Sequence, residues 1–136
     1  MTDLLTTEEY KAIAAGLTLP TQAFIDGAFR PALSGKTFDT VNPATGAVIG
    51  QCPKASPAQL DAALKAADDA FPAWSRTPGA ERYAILRRAA DLYEAEFGPI
   101  FALLAREAGK SLSDAVAELR EAVDFLRYYA LQARKL

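Results

Sequence analysis

Apolar and polar positions along this chain repeat with two different periods, and the changes between them mark out its elements. Near the start, Thr6 followed three residues later by Glu9 fits a capping box, in which hydroxyl and carboxylate satisfy backbone donors of a first helical turn. A short helix over 7–15 is predicted, ended by Gly16 in the left-handed conformation, with an extended connection through Pro20. Residues 1–20 read as a leader arm and 21–136 as one domain. Next come two apolar pairs that favour strands, Phe24-Ile25 and Ala28-Phe29, joined by Asp26-Gly27, a two-residue hairpin turn. A second hairpin begins at 38–41, turns through Asn42-Pro43-Ala44-Thr45-Gly46 and returns along 47–51. Pro43 has no amide to give a strand ladder, which suits the turn.

After Cys52-Pro53 the helical period takes over. Ser56-Pro57-Ala58-Gln59 supplies an N-cap, a proline at the first helical position and a capping-box glutamine, and Leu60, Leu64, Ala67 and Phe71 then share one face. Thr77-Pro78 repeats the start signal, and Ile85, Leu86, Ala89, Ala90, Tyr93 and Phe97 recur at helical spacing until Gly98-Pro99 breaks the run. A short helix over 100–108 stops at Gly109, and Ser111 or Ser113 caps the last helix. There Val116, Leu119, Val123, Leu126, Ala130 and Ala133 form a 3-4-3-4-3 seam, which either packs in the core or meets another subunit. The fold class is α+β and mostly helical: two N-terminal β-hairpins, then about four helices with a long C-terminal one.

With 51% apolar and 24% charged residues the chain has the composition of a folded globular protein. Its 15 basic and 17 acidic residues interleave, so we expect neither nucleic acid nor a membrane surface as partner. The longest apolar run, Ile100 to Ala105, falls far short of the ~20 residues a membrane span needs. A single cysteine, Cys52, and a start without the pattern of a secretory signal imply a cytoplasmic location.

The absence of histidine removes the commonest general base and metal ligand. Cys52, beside Pro53 at a strand end, reads as a structural thiol in preference to a nucleophile. Gly109-Lys110-Ser111 imitates the tail of a phosphate loop, but Leu104 stands where that motif requires glycine, and no G-x-G-x-x-G occurs. Asp114, Glu118, Glu121 and Asp124 crowd the last helix. With the i,i+4 pairs Arg120/Asp124 and Arg87/Asp91, most of these charges read as solvated ion pairs.

Phe24-Ile25-Asp26-Gly27-Ala28-Phe29, then Phe38-Asp39-Thr40-Val41-Asn42-Pro43-Ala44-Thr45-Gly46 and Val48-Ile49, resemble the opening of the aldehyde dehydrogenase superfamily. The likeness continues through Ala70-Phe71-Pro72-Ala73-Trp74, Glu81-Arg82, Ala89-Ala90-Asp91-Leu92 and Arg106-Glu107-Ala108-Gly109-Lys110, covering residues 22–135. Residues 1–51 are similar to dehydrogenases of gamma-glutamyl-aminobutyraldehyde. Residues 53–135 are similar to the glutamate-semialdehyde dehydrogenase part of bifunctional proline-catabolic enzymes, and a join near Gln51 to Pro53 is expected.

The resemblance implies a partial α/β dehydrogenase fold and descent from NAD(P)-dependent aldehyde oxidation. In the family a cysteine attacks the aldehyde, hydride passes to the nicotinamide and a glutamate helps water release the acid. Those residues match nothing here, so the chain alone is expected to hold no catalytic residue and bind no cofactor. The resemblance also places Glu121 and Phe125 on a substrate-tunnel wall, and the carbonyls near Thr40 and Val41 at a monovalent cation site. Glu107 occupies the position of that site's aspartate. The parent's helices pack on a sheet missing here, leaving apolar stripes uncovered. We therefore expect a homo-oligomer or swapped assembly, or else a module that joins a full-length dehydrogenase.

Overall fold

The computed structural model describes residues 5–18 and 21–135. The elements run α1 (Thr7–Gly16), β1 (Ala23–Ile25), β2 (Ala28–Arg30), β3 (Thr37–Val41), β4 (Val48–Pro53), α2 (Pro57–Ser75), α3 (Gly79–Ala95), α4 (Phe97–Glu107) and α5 (Leu112–Ala133). The α+β, mostly helical class is thus the one observed. The chain forms two compact units, residues 1–17 with 77–136, and residues 18–76. This division runs differently from an arm over 1–20 and a domain over 21–136, because α1 packs along α4.

In the first unit α1 opens with the expected capping box: the Glu9 amide donates to Thr6 Oγ1 at 3.3 Å, and the Thr6 amide to Glu9 Oε2 at 2.7 Å. Its end differs from the expectation. The chain leaves through Leu17 in extended conformation, and the Arg106 guanidinium donates to the Ala14 carbonyl, satisfying the helix end without a left-handed glycine. The break between α3 and α4 falls at Glu96, just ahead of Gly98-Pro99. Pro99 has no amide for the carbonyl of Ala95, four residues back, so α3 stops there and the proline sits in the first turn of α4, where donors lack helical partners anyway. Gly109, at φ 65°, turns the chain so that the Lys110 amide reaches the Leu104 carbonyl at 3.2 Å. Ser111, and not Ser113, is the N-cap of α5, accepting from the Asp114 amide.

The core of this unit gathers Ala90 of α3, Phe101 of α4 and Ala115, Leu119 and Val123 of α5, with Tyr10 of α1 packed against it. The seam of α5 therefore lies inward: Leu119, Val123 and Ala130 are buried, and Val116, Leu126 and Ala133 half-buried. The N-terminus of α3 abuts the C-terminus of α5. A Cβ on Gly79 would lie 2.1 Å from the Ala133 carbonyl oxygen.

In the second unit, β1 and β2 pair antiparallel around Asp26 (φ 52°) and Gly27 (φ 69°), the two positive values that a tight hairpin turn of this type requires. Phe24 and Phe29 face each other across it, ring centroids 5.3 Å apart. The second hairpin pairs β3 with β4, and its register shifts between Thr40 and Val41, leaving Ile49 as the extra residue of a bulge. Ser56 caps α2 as expected, but Gln59 does not close the capping box. Its side chain, only 4% exposed, instead accepts from the Leu33 amide at 3.1 Å and donates to the Pro31 carbonyl at 3.1 Å, so one buried amide anchors the segment after β2. The helix turns accordingly. Gln59, Ala63 and Ala66 are its more buried positions, while the expected inner face lies in solvent, with Leu60 56%, Leu64 60% and Phe71 66% exposed.

Candidate functional site

Two grooves flank α5. On one side Leu86 and Tyr93 of α3 and Ala122, Phe125, Leu126 and Tyr129 of α5 line a space of about 360 Å³. Phe125 stacks on Tyr129 at 6.1 Å, and Tyr128 meets Tyr129 edge-on at 5.2 Å, which suits an apolar or aromatic neighbour. Of the two residues expected on a tunnel wall, Phe125 lines this groove, whereas Glu121 is exposed one turn earlier and is not part of its lining.

On the other side Glu94, Leu119, Arg120, Val123, Asp124 and Arg127 surround about 350 Å³. Here Arg127 grips Glu94 with two nitrogens, at 3.0 and 2.6 Å, and reaches Asp91 at 3.5 Å. The guanidinium holds the Glu94 carboxyl below its ordinary pKa, and the carboxylate in turn raises that of Arg127. The expected intrahelical pairs give way to this arrangement. Arg87 instead bonds the Tyr83 hydroxyl and lies over its ring, and neither Arg87/Asp91 nor Arg120/Asp124 forms an ion pair among the described residues. Partners 33 positions apart leave no local signal in sequence.

Cys52 is half-buried on β4, with its sulfur 3.1 Å from Thr40 Oγ1. A hydroxyl is no general base, so the contact fits the structural thiol expected. Thr40 and Val41 stand at the bulged end of the second hairpin, and Glu107 is the last, exposed residue of α4 in the other unit. No cluster of three or more His, Cys, Asp or Glu side chains suited to a metal occurs among the described residues. The Rossmann type of dinucleotide site uses a glycine-bearing turn from strand to helix. Among the described residues the strands form two antiparallel pairs, and β4 passes to α2 through Lys54-Ala55-Ser56 without glycine. That turn is absent among the described residues.

The same arrangement of hairpins and helices occurs in solved aldehyde dehydrogenases. The gamma-glutamyl-gamma-aminobutyraldehyde dehydrogenase from Burkholderia cenocepacia superposes with a TM-score of 0.91 at 32% identity, over 97% of this chain and 27% of that one. The aldehyde dehydrogenase family model matches residues 29–136, and the chain belongs to that family. The bifunctional protein PutA of Escherichia coli is 45% identical over 106 residues, 77% of this chain and 8% of that protein. The aminoacetaldehyde dehydrogenase of Pseudomonas aeruginosa is 42% identical over 134 residues, 96% of this chain and 27% of it. That last match runs through Gln51–Pro53 within a single relative, which removes the reason for a join there. The chain spans about a quarter or less of the length of these relatives. No described helix is long and apolar enough to cross a membrane.

Proposed function

We propose that this chain is a non-catalytic portion of an NAD(P)-dependent aldehyde dehydrogenase whose parent reaction converts an aldehyde, such as glutamate semialdehyde in cytoplasmic proline catabolism, to the carboxylate. The observation that carries the reading is the match of a single family over 29–136 in a chain where, among the described residues, the strand-to-helix passage has no phosphate-binding glycine and the cysteine's side-chain partner is the Thr40 hydroxyl. The 45% identity to PutA supports the proline-linked substrate. Calorimetric titration with NAD tests the proposal, together with nicotinamide reduction in the presence of glutamate semialdehyde. Absence of both heat and turnover is expected; saturable binding with turnover would overturn it.

The exposed stripes favour a second reading, a helical module that self-associates or joins a full-length dehydrogenase. Leu60, Leu64, Phe71 and Trp74 of α2, with Phe125, Tyr128, Tyr129 and Leu131 of α5, are each 47% exposed or more.

A further inference from the structure

Asp26 and Gly27 form the turn between β1 and β2, and they differ from every other aspartate step in the chain. Asp26 is the one aspartate followed by glycine. The other described aspartates lie in β3 or inside α2, α3 and α5, each ahead of a residue that carries a side chain. Both turn residues are exposed, and Asp26 holds φ 52°, a region crowded for a residue with a Cβ. Among the described residues its carboxyl has no hydrogen-bond or ionic partner, and the Gly27 amide donates to no acceptor. A Cβ built on Gly27 would meet nothing within 4 Å, so open space surrounds that amide. An unshielded carboxyl thus stands beside an unshielded amide nitrogen.

The hairpin holds this pair loosely. Its strands are three residues each, and among the described residues they pair with each other and with no third strand. A two-stranded hairpin without further cover is marginal in water, so the turn opens locally without unfolding the rest of the chain.

We propose that Asp26-Gly27 is a site of spontaneous isoaspartate formation, and that the product lengthens this turn and undoes the β1/β2 register. In the opened turn the Gly27 nitrogen attacks Cγ of the protonated Asp26 carboxyl. The N–Cγ bond forms, and the carboxyl OH leaves with the amide proton as water, giving a five-membered succinimide. Water then adds to either ring carbonyl. Addition at Cγ restores aspartate. Addition at the α-carbonyl breaks the original peptide bond, so the chain now runs through Cβ and Cγ and a free α-carboxylate remains. One water is released and one consumed, no electrons are transferred, and mass and charge are unchanged. The main chain gains one carbon in a turn of two residues, so Ile25 and Ala28, and behind them Phe24 and Phe29, no longer stand opposite each other. Pro31 and Leu33 remain tied to Gln59, which confines the change to residues 23–30.

Ageing of the whole chain in neutral buffer made with heavy-oxygen water, natively and in urea, tests the proposal. Trypsin does not cut between Arg30 and Pro31, so Asp26 is the sole aspartate of the peptide spanning residues 12–36. A second form of this peptide is expected, carrying one heavy oxygen and resistant to a protease that cuts before aspartate. It should accumulate in the native chain within about tenfold of its rate in urea, while the peptides of helical aspartates stay single. Asp26→Glu, whose ring would need one more atom, is expected to lose the product. In the purified isoaspartyl chain, nuclear Overhauser contacts between Phe24 and Phe29 should vanish while those between Leu33 and Gln59 persist. A native rate more than tenfold below that in urea, no product in either condition, equal conversion at helical aspartates, or the same product in Asp26→Glu overturns the site. Phe24–Phe29 contacts that survive in the isoaspartyl chain overturn the loss of register.

Discussion

Gly79 tests how the first unit is held together. It is the first residue of α3, and a methyl group there would sit 2.1 Å from the Ala133 carbonyl oxygen and 3.2 Å from its carbon, where ordinary contact begins at 3.4 Å. Gly79→Ala therefore forces α3 and α5 apart by at least 1.3 Å, the difference 3.4 − 2.1. The obstacle is backbone, which cannot rotate aside as a side chain would. Separation would also weaken the favourable approach of the positive helix start of α3 to the negative helix end of α5. Overpacking of this kind costs roughly 1–3 kcal/mol, while replacing glycine returns about 0.4–1 kcal/mol through the unfolded chain. A net loss of about 1–2 kcal/mol follows.

Gly16 at the end of α1 is the natural control, because a Cβ there meets nothing within 4 Å and its φ is not left-handed. Gly16→Ala should gain about 0.4–1 kcal/mol. Urea unfolding followed by far-UV circular dichroism, with the slope unchanged across the three proteins, measures both shifts. If Gly79→Ala proves as stable as wild type, the tight helix junction is wrong.

Three further outcomes are expected. Leu119→Ala, at a residue 2% exposed in the core, should lower unfolding stability by about 2–5 kcal/mol, and a change within surface scatter would mean that the seam of α5 is not buried. Gln59→Leu strands the Leu33 amide and the Pro31 carbonyl, for a cost of about 1–3 kcal/mol, and hydrogen exchange at Leu33 should quicken; unchanged exchange would deny the anchor. Glu94 has a lowered folded-state pKa, so its contribution is present above the ordinary carboxylate range and lost as pH falls through the lowered value. Acid titration of stability should therefore show a smaller loss in Glu94→Gln than in wild type, and identical curves would show the Arg127 pair to be without effect.

Local chemistry was readable from the sequence wherever neighbouring residues decide it. Thr6 with Glu9, Asp26-Gly27 and Ser56-Pro57 each gave the element they announced, since capping and turn geometry depend on a few adjacent residues. The orientation of α2 was not readable. Periodicity records which face a helix buries in its complete surroundings, and Leu60, Leu64 and Phe71 find no such cover here, while Gln59, polar by composition, takes the inner position through two hydrogen bonds. The same holds for the candidate site. Phe125 entered through family likeness as a tunnel-wall residue and here borders an open groove on α5, while the Arg127–Glu94 grip joins residues far apart in the chain, which no local pattern encodes.

The packing of α1 on α4 has a consequence for how the chain is made. Synthesis delivers α1 ahead of α4, and the Arg106 guanidinium that bonds Ala14 follows 92 positions later. A ten-residue helix is too short to persist alone in water. While the ribosome adds the hairpins and α2, the α1 segment must therefore wait largely unstructured, with Tyr10 and Ile13 open to solvent. It can settle only when Phe101 and Arg106 have cleared the exit tunnel, so this helix, translated ahead of the other described elements, settles only after most of them have emerged.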